Sequence, residues 1–518
     1  MRLLQSRTKR GLTVLVLLLG LVPARAERIN QEGRILGALP VVTNAILFNT
    51  SNADAVLAAM QICPVTNPWN EDISHRPVLA NSDAMMAQIS NDLAASRRTL
   101  RAFKEMNFVL IPDAQPTVPI NFLDYPDDSD LDGGTYPNGL YPIPTNMPIE
   151  TWPSDTGGLT LSEWQQDVNA TGGDRHSIVV KPGSGFIWET WQAKLVGNNW
   201  EASNGAKFNL NTNGLRHDGW TSGDAAGLPM FPALPRFEEC ERGMVEHACR
   251  IVVAKSRYQN YIYPATHYAA PTNNIGVNLP SMGQRLRLKS TFAIPANWTK
   301  QEKAILLALK KYGALVADNG NFFSISVTPD DRWPAGCFDH LSTVGITNFE
   351  AIQPTGPAEG PRSPGAPTAG AGPDQNVPVG APVSLAGFVS FTNTFRPTVL
   401  WKLYSGPTNM SFASLTQTNT TATFNTPGVY TLELSATDGV HAVAFDAAVI
   451  TAIPAILVSL QKSGTNLNLS WTGGLPPFVV ERITALPSPS WTGVMTTSVQ
   501  TASIPILPGS SFFRVRGN

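Results

Sequence analysis

Gly428-Val429-Tyr430-Thr431-Leu432-Glu433-Leu434-Ser435-Ala436-Thr437-Asp438-Gly439 is the stretch on which the fold turns. Apolar side chains recur at every second position from Tyr430 to Ala436, and Asp438-Gly439 ends the run in a turn. A period of two puts one set of side chains on each face of an extended chain, so the stretch reads as a half-buried strand. Val383-Ser384-Leu385, Val399-Leu400-Trp401-Lys402-Leu403 and Thr421-Ala422-Thr423-Phe424 alternate in the same way. Short strands at roughly 8–12-residue spacing indicate an antiparallel sandwich. The last segment, 454–518, repeats the pattern in Leu467-Asn468-Leu469-Ser470-Trp471, in Phe478-Val479-Val480-Glu481-Arg482 and in Phe512-Phe513-Arg514-Val515-Arg516. Its Trp471 and Trp491 read either as core anchors or as a sugar-stacking platform.

Upstream of these strands, residues 353–373 are punctuated by glycine and proline and read as a semi-stiff linker. All four cysteines and six of the seven histidines precede it. Any specialised chemistry is therefore expected in residues 27–352. The strands after the linker, with Ala371-Gly372-Pro373-Asp374-Gln375, Ser405-Gly406-Pro407 and Pro427-Gly428, resemble the PKD-like, immunoglobulin-fold repeats of bacterial exported proteins over about 367–453. That resemblance implies a spacer or weak binder. Segment 454–518 resembles a fibronectin-III-like module.

The chain begins with Arg2, Arg7, Lys9 and Arg10, an apolar run from Leu12 to Val22, and Ala24-Arg25-Ala26. This is the layout of a cleaved signal peptide, 1–26, and it predicts an extracellular protein. Removing it leaves 32 basic against 39 acidic residues, a net charge of -7. A mildly acidic protein has no electrostatic reason to hold nucleic acid, and no second apolar run is long enough for transmembrane anchoring. With 42 glycines, 42 prolines and 15% charged residues, the composition suits a mainly β protein. The expected fold is a large β-sandwich or jelly-roll-like module with a few helices, followed by the linker and two small immunoglobulin-like sandwiches at 374–453 and 454–518.

Within 27–352, Ala53–Gln61 and Ser82–Phe103 read as helices, the second with Ser82 as cap. Thr299-Lys300-Gln301-Glu302 is a capping box before a third helix, which Gly313 ends. Between these helices, Ser177-Ile178-Val179-Val180, Phe186-Ile187-Trp188-Glu189-Thr190-Trp191-Gln192, Cys249-Arg250-Ile251-Val252-Val253 and Gln284-Arg285-Leu286-Arg287-Leu288-Lys289 read as strands. Their charged residues at alternate positions either face water or line a groove for a polar polymer. Four cysteines in an exported chain suggest disulfides, with Cys240–Cys249 and Cys63–Cys337 as the first pairing.

Gly173-Asp174-Arg175-His176, the run Leu215–Pro229, Glu246-His247-Ala248-Cys249-Arg250, Tyr263-Pro264-Ala265-Thr266-His267-Tyr268-Ala269 and Met282-Gly283-Gln284-Arg285 resemble an uncharacterised family of exported bacterial β-rich proteins over about residues 40–350. The resemblance brings no reaction with it.

The acids in those stretches are the first candidates for chemistry. Glycoside cleavage needs two carboxylates about 5–9 Å apart. Glu189 with Asp224 is the preferred pair, and Glu238 is the substitute. Alternatively, a base such as His247 or His267, with Arg216 neutralising a substrate carboxylate, suits elimination on an acidic sugar. Separately, Asp128-Ser129-Asp130-Leu131-Asp132-Gly133 matches the first half of a calcium loop, although Gly139 stands where glutamate is expected. Asp128, Asp130 and Asp132 are thus candidate calcium ligands.

Two functions fit these features. One is a secreted protein directed at a polysaccharide or cell-surface glycan, acting as a glycoside hydrolase or polysaccharide lyase. The other is a non-catalytic adhesive or scaffold protein. An enzyme predicts that Glu189, Arg216, Asp224, His247 and His267 converge in one cleft; a scaffold predicts that they scatter or pair off.

Overall fold

The computed structural model describes residues 28–170, 173–486 and 490–517, so the signal-peptide reading of 1–26 lies outside the described residues. Thr299 Oγ1 accepts from the Glu302 amide and Glu302 returns a carboxylate to the Thr299 amide, so helix Lys300–Lys311 starts on its capping box. Ile305, Leu306 and Leu309 are buried, and Gly313, at φ +68°, turns the chain into the next strand. The first predicted helix forms over Ser51–Ala59. The second stops early. It spans only Ser82–Asn91, and Leu100–Lys104 is a strand. Asn81 occupies the cap position, while the Ser82 hydroxyl accepts from the Ala351 amide and ties the helix to a sheet edge.

The chain is mainly β, with five α-helices among the described residues. In residues 28–352 the layers are set by a sheet with both faces covered. Its strand order is Asn204–Asn209, Phe186–Trp191, Ser177–Lys181, Val109–Leu110, Ile46–Leu47. Ile178, Val180 and Ile187 enter one core, and the alternate residues Val179 and Trp188 enter a second. The second core is closed by a four-stranded sheet of Lys194–Val196, Asn199–Ala202, Val118–Phe122 and Asn138–Tyr141. The first core is shared with the helices and a six-stranded sheet, ordered Phe349–Ala351, Arg285–Leu288, Ala314–Asn319, Cys249–Val253, Phe323–Val327, Leu100–Lys104. Cys249–Val253 lies parallel to Ala314–Asn319, and helix Lys300–Lys311 precedes the latter, as parallel pairing requires a crossover.

A strand covered on both faces has no water side, so alternate charged residues cannot be solvated. Glu189, Arg250, Arg285 and Arg287 are all buried, which removes the polar-groove reading of these strands. The cysteine pairing is also corrected. Cys63, Cys240, Cys249 and Cys337 are free and buried, filling the first core as small apolar groups. Burial, with the nearby Glu189 charge, pushes the Cys63 thiol up to about 12.

Residues 375–453 form a sandwich with a separate core. One sheet runs Gln375–Pro378, Ala444–Ile453, Gly428–Thr437, Thr398–Ser405, and the other Pro382–Ala386, Asn419–Phe424, Met410–Phe412. Trp401, Leu432, Leu434 and Phe424 meet between them, and the Tyr430 hydroxyl donates to the Thr426 carbonyl at 2.6 Å. Glu433, on the outer face, is nevertheless fully buried: Lys402 Nζ stands 2.7 Å from it and the turn at Gly33 lies against it and Phe445.

The Gly/Pro-rich segment, read as a semi-stiff linker, is docked on the first module. Pro361 is buried, and Arg362 donates to Glu71 at 3.0 Å and to the Thr66 and Gly356 carbonyls at 3.0 Å. Ser363 then meets His441 of the sandwich at 2.9 Å. The last module stacks two three-stranded sheets on Leu469, Trp471, Phe478, Val480, Ala502 and Ile504. Trp471 is therefore core, and Trp491 sits under Arg514 at 4.4 Å. Neither forms a platform with the other.

Candidate functional site

The predicted catalytic set does not converge. Glu189, fully buried on strand Phe186–Trp191, accepts from the Met230 and Phe231 amides at 2.8–3.0 Å. Burial pushes its carboxyl up to about 7, against the pull of those amides and with a further rise from Asp224. Asp224 is fully buried and takes Arg250 on both oxygens. Arg216 serves Asp130 and the Asp128 carbonyl. Glu238 pairs with Arg236 at 3.2 Å, and His247 lies 3.2 Å from Glu239 and 2.8 Å from its neighbour's carbonyl. The cavity beside that group holds only about 20 Å³, roughly one water. Burial lifts the Glu238 carboxyl, while Arg236 and His247 outweigh burial at Glu239 and hold it low.

The geometry does not support the calcium reading: two of its three carboxylates, Asp130 and Asp132, already have cationic partners. Asp130 accepts from Arg216 and from the Lys207 amide, and Asp132 accepts from Lys207 Nζ at 2.6 Å and from Trp188 Nε1 at 2.8 Å. Asp128 contributes its carbonyl, to Arg216 and to Asn204. Among the described residues no group of three His, Cys, Asp or Glu is arranged to hold a metal ion.

The buried charges instead brace the wall of a different site. His176 Nδ1 lies 2.8 Å from Glu150 and its Nε2 lies 2.9 Å from the Gly223 carbonyl. Both partners are acceptors, so the ring donates twice. Burial opposes that charge, but Glu150 outweighs it and the imidazole is pushed up to about 9. Arg250 reaches Ser326 at 2.6 Å, and Ser326 donates to Glu105 at 2.6 Å. Ser222 Oγ lies 2.9 Å from the Asp224 carbonyl and 2.7 Å from that of Leu228. The glycine-rich loop 221–228 is thus held from beneath by ions and from within by a hydroxyl.

That loop borders a cleft of about 250 Å³. Tyr125 and Trp191 form an aromatic wall, their rings 6.0 Å apart and inclined at 40°. Asp174 sits beside the indole, which donates to it at 3.4 Å. His267, Asp318 and Asn319 line the cleft with them. His267 Nδ1 is 2.8 Å from the Ala225 carbonyl, which can only accept, so Nδ1 carries a hydrogen and in the neutral ring Nε2 is an acceptor. Asn319 Oδ1 is buried without a hydrogen-bond partner among the described residues. Asp318, about 24% exposed, is 3.6 Å from Arg250.

Of the predicted residues, His267 and Asp174, an acid of the Gly173–His176 stretch, line this cleft. Asp224 lies directly behind its loop. Asp318 and Asn319, not among the expected site residues, end the strand Ala314–Asn319. The available signal was polar Asp-Asn directly after the buried run Ala314-Leu315-Val316-Ala317, at a strand's C-terminal end.

No protein-family model and no curated protein matches the chain. Among solved structures it is similar to the I-band fragment I67-I69 from titin, with 12% identity and a TM-score of 0.20, over 29% of this chain and 63% of that one. A likeness at that score carries no argument about fold or activity.

Proposed function

We propose that this is an exported, carbohydrate-directed protein whose first module takes a glycan into the cleft between Trp191 and Asp318. The observation that carries the reading is the convergence of an aromatic wall with an acid pair, an accepting imidazole and an unpaired buried amide oxygen. A sugar ring offers an apolar face to an indole and hydroxyls to such acceptors. The charged head of residues 1–26 supports export. The PKD-like and fibronectin-III-like readings of the sandwiches give them the role of spacers, which keep a released protein near a polymeric target.

The non-catalytic reading keeps a specific support: Asp224, Arg216 and His247 are spent on Arg250, Asp130 and Glu239. Both readings share glycan binding at the cleft. Titrating the full chain with a panel of soluble glycans, followed by tryptophan fluorescence and calorimetry, tests it. Binding to at least one glycan is expected, with a loss of tenfold or more in Trp191→Ala. Equal binding by the variant moves the site elsewhere, and binding to no glycan overturns the proposal.

A further inference from the structure

Two carboxylates and one guanidinium meet beneath the cleft. Asp224 has no exposure and holds Arg250 on both oxygens, so Arg250's charge is already matched. Asp318 stands on the cleft side, 3.6 Å from the same guanidinium. It is the surplus acid, beside a like charge and partly out of water. Resting on the glycan reading, we infer that the cleft is a hydrolase site for neutral glycans, in which Asp318 protonates the glycosidic oxygen and Asp174 accepts a proton from the attacking water.

Neutral chains are favoured because no lysine or arginine is among the described residues lining the cleft. Arg216, the expected partner of an acidic sugar, turns inward to Asp130, and Arg175 and Arg285 turn inward as well, to the Ala193 and Trp164 carbonyls and to the Tyr312 and Pro68 carbonyls. An anionic sugar would meet two acids and no compensating cation. The aromatic wall beside Asp174 fixes the ring plane, and His267 Nε2 accepts a sugar hydroxyl.

The step balances with water as the sole co-reactant. The Asp318 proton passes to the bridging oxygen while the C1–O bond breaks and its electron pair leaves as a hydroxyl. The water oxygen bonds to C1, and the proton it sheds goes to Asp174. Exchange through solvent returns Asp318 to its acid form and Asp174 to carboxylate. Burial, then the Asp224 charge, pushes the Asp318 carboxyl up to about 7 against the pull of Arg250, the Asn319 amide and His176. It lines the cleft together with Asp174 and His267. An acid that works protonated loses its proton as pH rises, so the rate falls above about pH 7.

The test measures new reducing ends and binding together, using the full chain with xylan, mixed-linkage β-glucan, mannan and chitin oligomers, and with polygalacturonate as the anionic control. The expected result is release from at least one neutral glycan, an alkaline limb near pH 7, and no release from polygalacturonate. Asp318→Asn keeps binding within a few fold and loses about 10²–10⁴ in rate, the range of a proton donor. Should that variant melt below assay temperature, Asp174→Asn supplies the same comparison from the rim. Binding without product from any glycan overturns this inference and leaves the glycan reading standing; absence of binding removes both. Full activity in either folded variant also overturns it.

Discussion

Asp318 stands 3.6 Å from the guanidinium of Arg250, which already serves both oxygens of Asp224. Arg250 therefore neutralises a cluster that also includes Glu105, reached through Ser326. Removing the cation leaves buried acids uncompensated, which costs about 3–5 kcal/mol for a broken buried pair. Arg250→Leu is expected to lose that much in a urea titration of the first transition. A loss under 1 kcal/mol means that the cluster is solvated or relaxes around the gap.

The same cluster sets the pH dependence of folding. Glu189 and Glu105 are raised from 4.5 to about 7, in both mainly by burial. His176 is raised from 6.5 to about 9, Glu150 outweighing its burial. A group raised on folding stabilises fully below its unfolded value and loses that contribution as pH climbs through the folded one. These three therefore destabilise the fold progressively from about pH 4.5 to 9. Glu150 and Asp438 run the other way: burial raises them, but His176 outweighs it at Glu150, and the amides of His441 and Val440 with the His441 ring outweigh it at Asp438. Their contribution is present above the ordinary carboxylate range and fades in acid. Melting temperature is expected to peak between about pH 4.5 and 6.5 and to be lower at pH 9. A maximum at pH 8 or above contradicts this assignment.

Arg362 and Glu71 pin the Gly/Pro-rich strap to the first module. Both side chains are at most 4% exposed, and Tyr263 lies 5.0 Å from the guanidinium. Arg362→Ala leaves the Glu71 carboxylate buried with only Thr355 as a side-chain donor among the described residues. Limited proteolysis is expected to leave the native strap intact and to cut the variant within 353–366. Equal rates of cutting mean that the docking adds no protection.

Local signals were readable where one physical rule dominated. The capping box at Thr299 and the alternation from Tyr430 to Ala436 both reappear as expected, because caps and two-residue periods depend on near neighbours. Glu189 was misjudged because alternation says which residues share a face, not whether another layer covers it. Ser177–Lys181 carries apolar residues on both faces, and that was the available sign that its neighbour Phe186–Trp191 lies between two layers. The cleft was hardly legible. Trp191, Asp318 and His267 come from three distant segments, and only the packing of sheets across residues 125–319 brings them together. Asp224, expected to pair with Glu189, stands in the glycine-rich loop 221–228. The loop does border the cleft, but the carboxylate points behind it to Arg250.

Gly227 sits inside that loop at φ +71°, where a Cβ would fall 2.1 Å from Thr266 Oγ1 and 2.6 Å from the Trp220 carbonyl. Gly219, on the same segment, has φ +86° and open space around its Cβ position. Gly219→Ala is therefore expected to cost only backbone strain, about 1–2 kcal/mol. Gly227→Ala adds the displacement of a backbone carbonyl and of the Thr266 side chain, about 1–3 kcal/mol more. Because the Gly227 amide donates to the Asp224 carbonyl at 3.0 Å, the displacement is carried to the loop that walls the cleft. Glycan affinity is expected to fall in Gly227→Ala and to hold in Gly219→Ala, measured by calorimetry beside thermal melts of both. Equal affinity in the two variants would mean that the loop's inner packing does not shape the cleft.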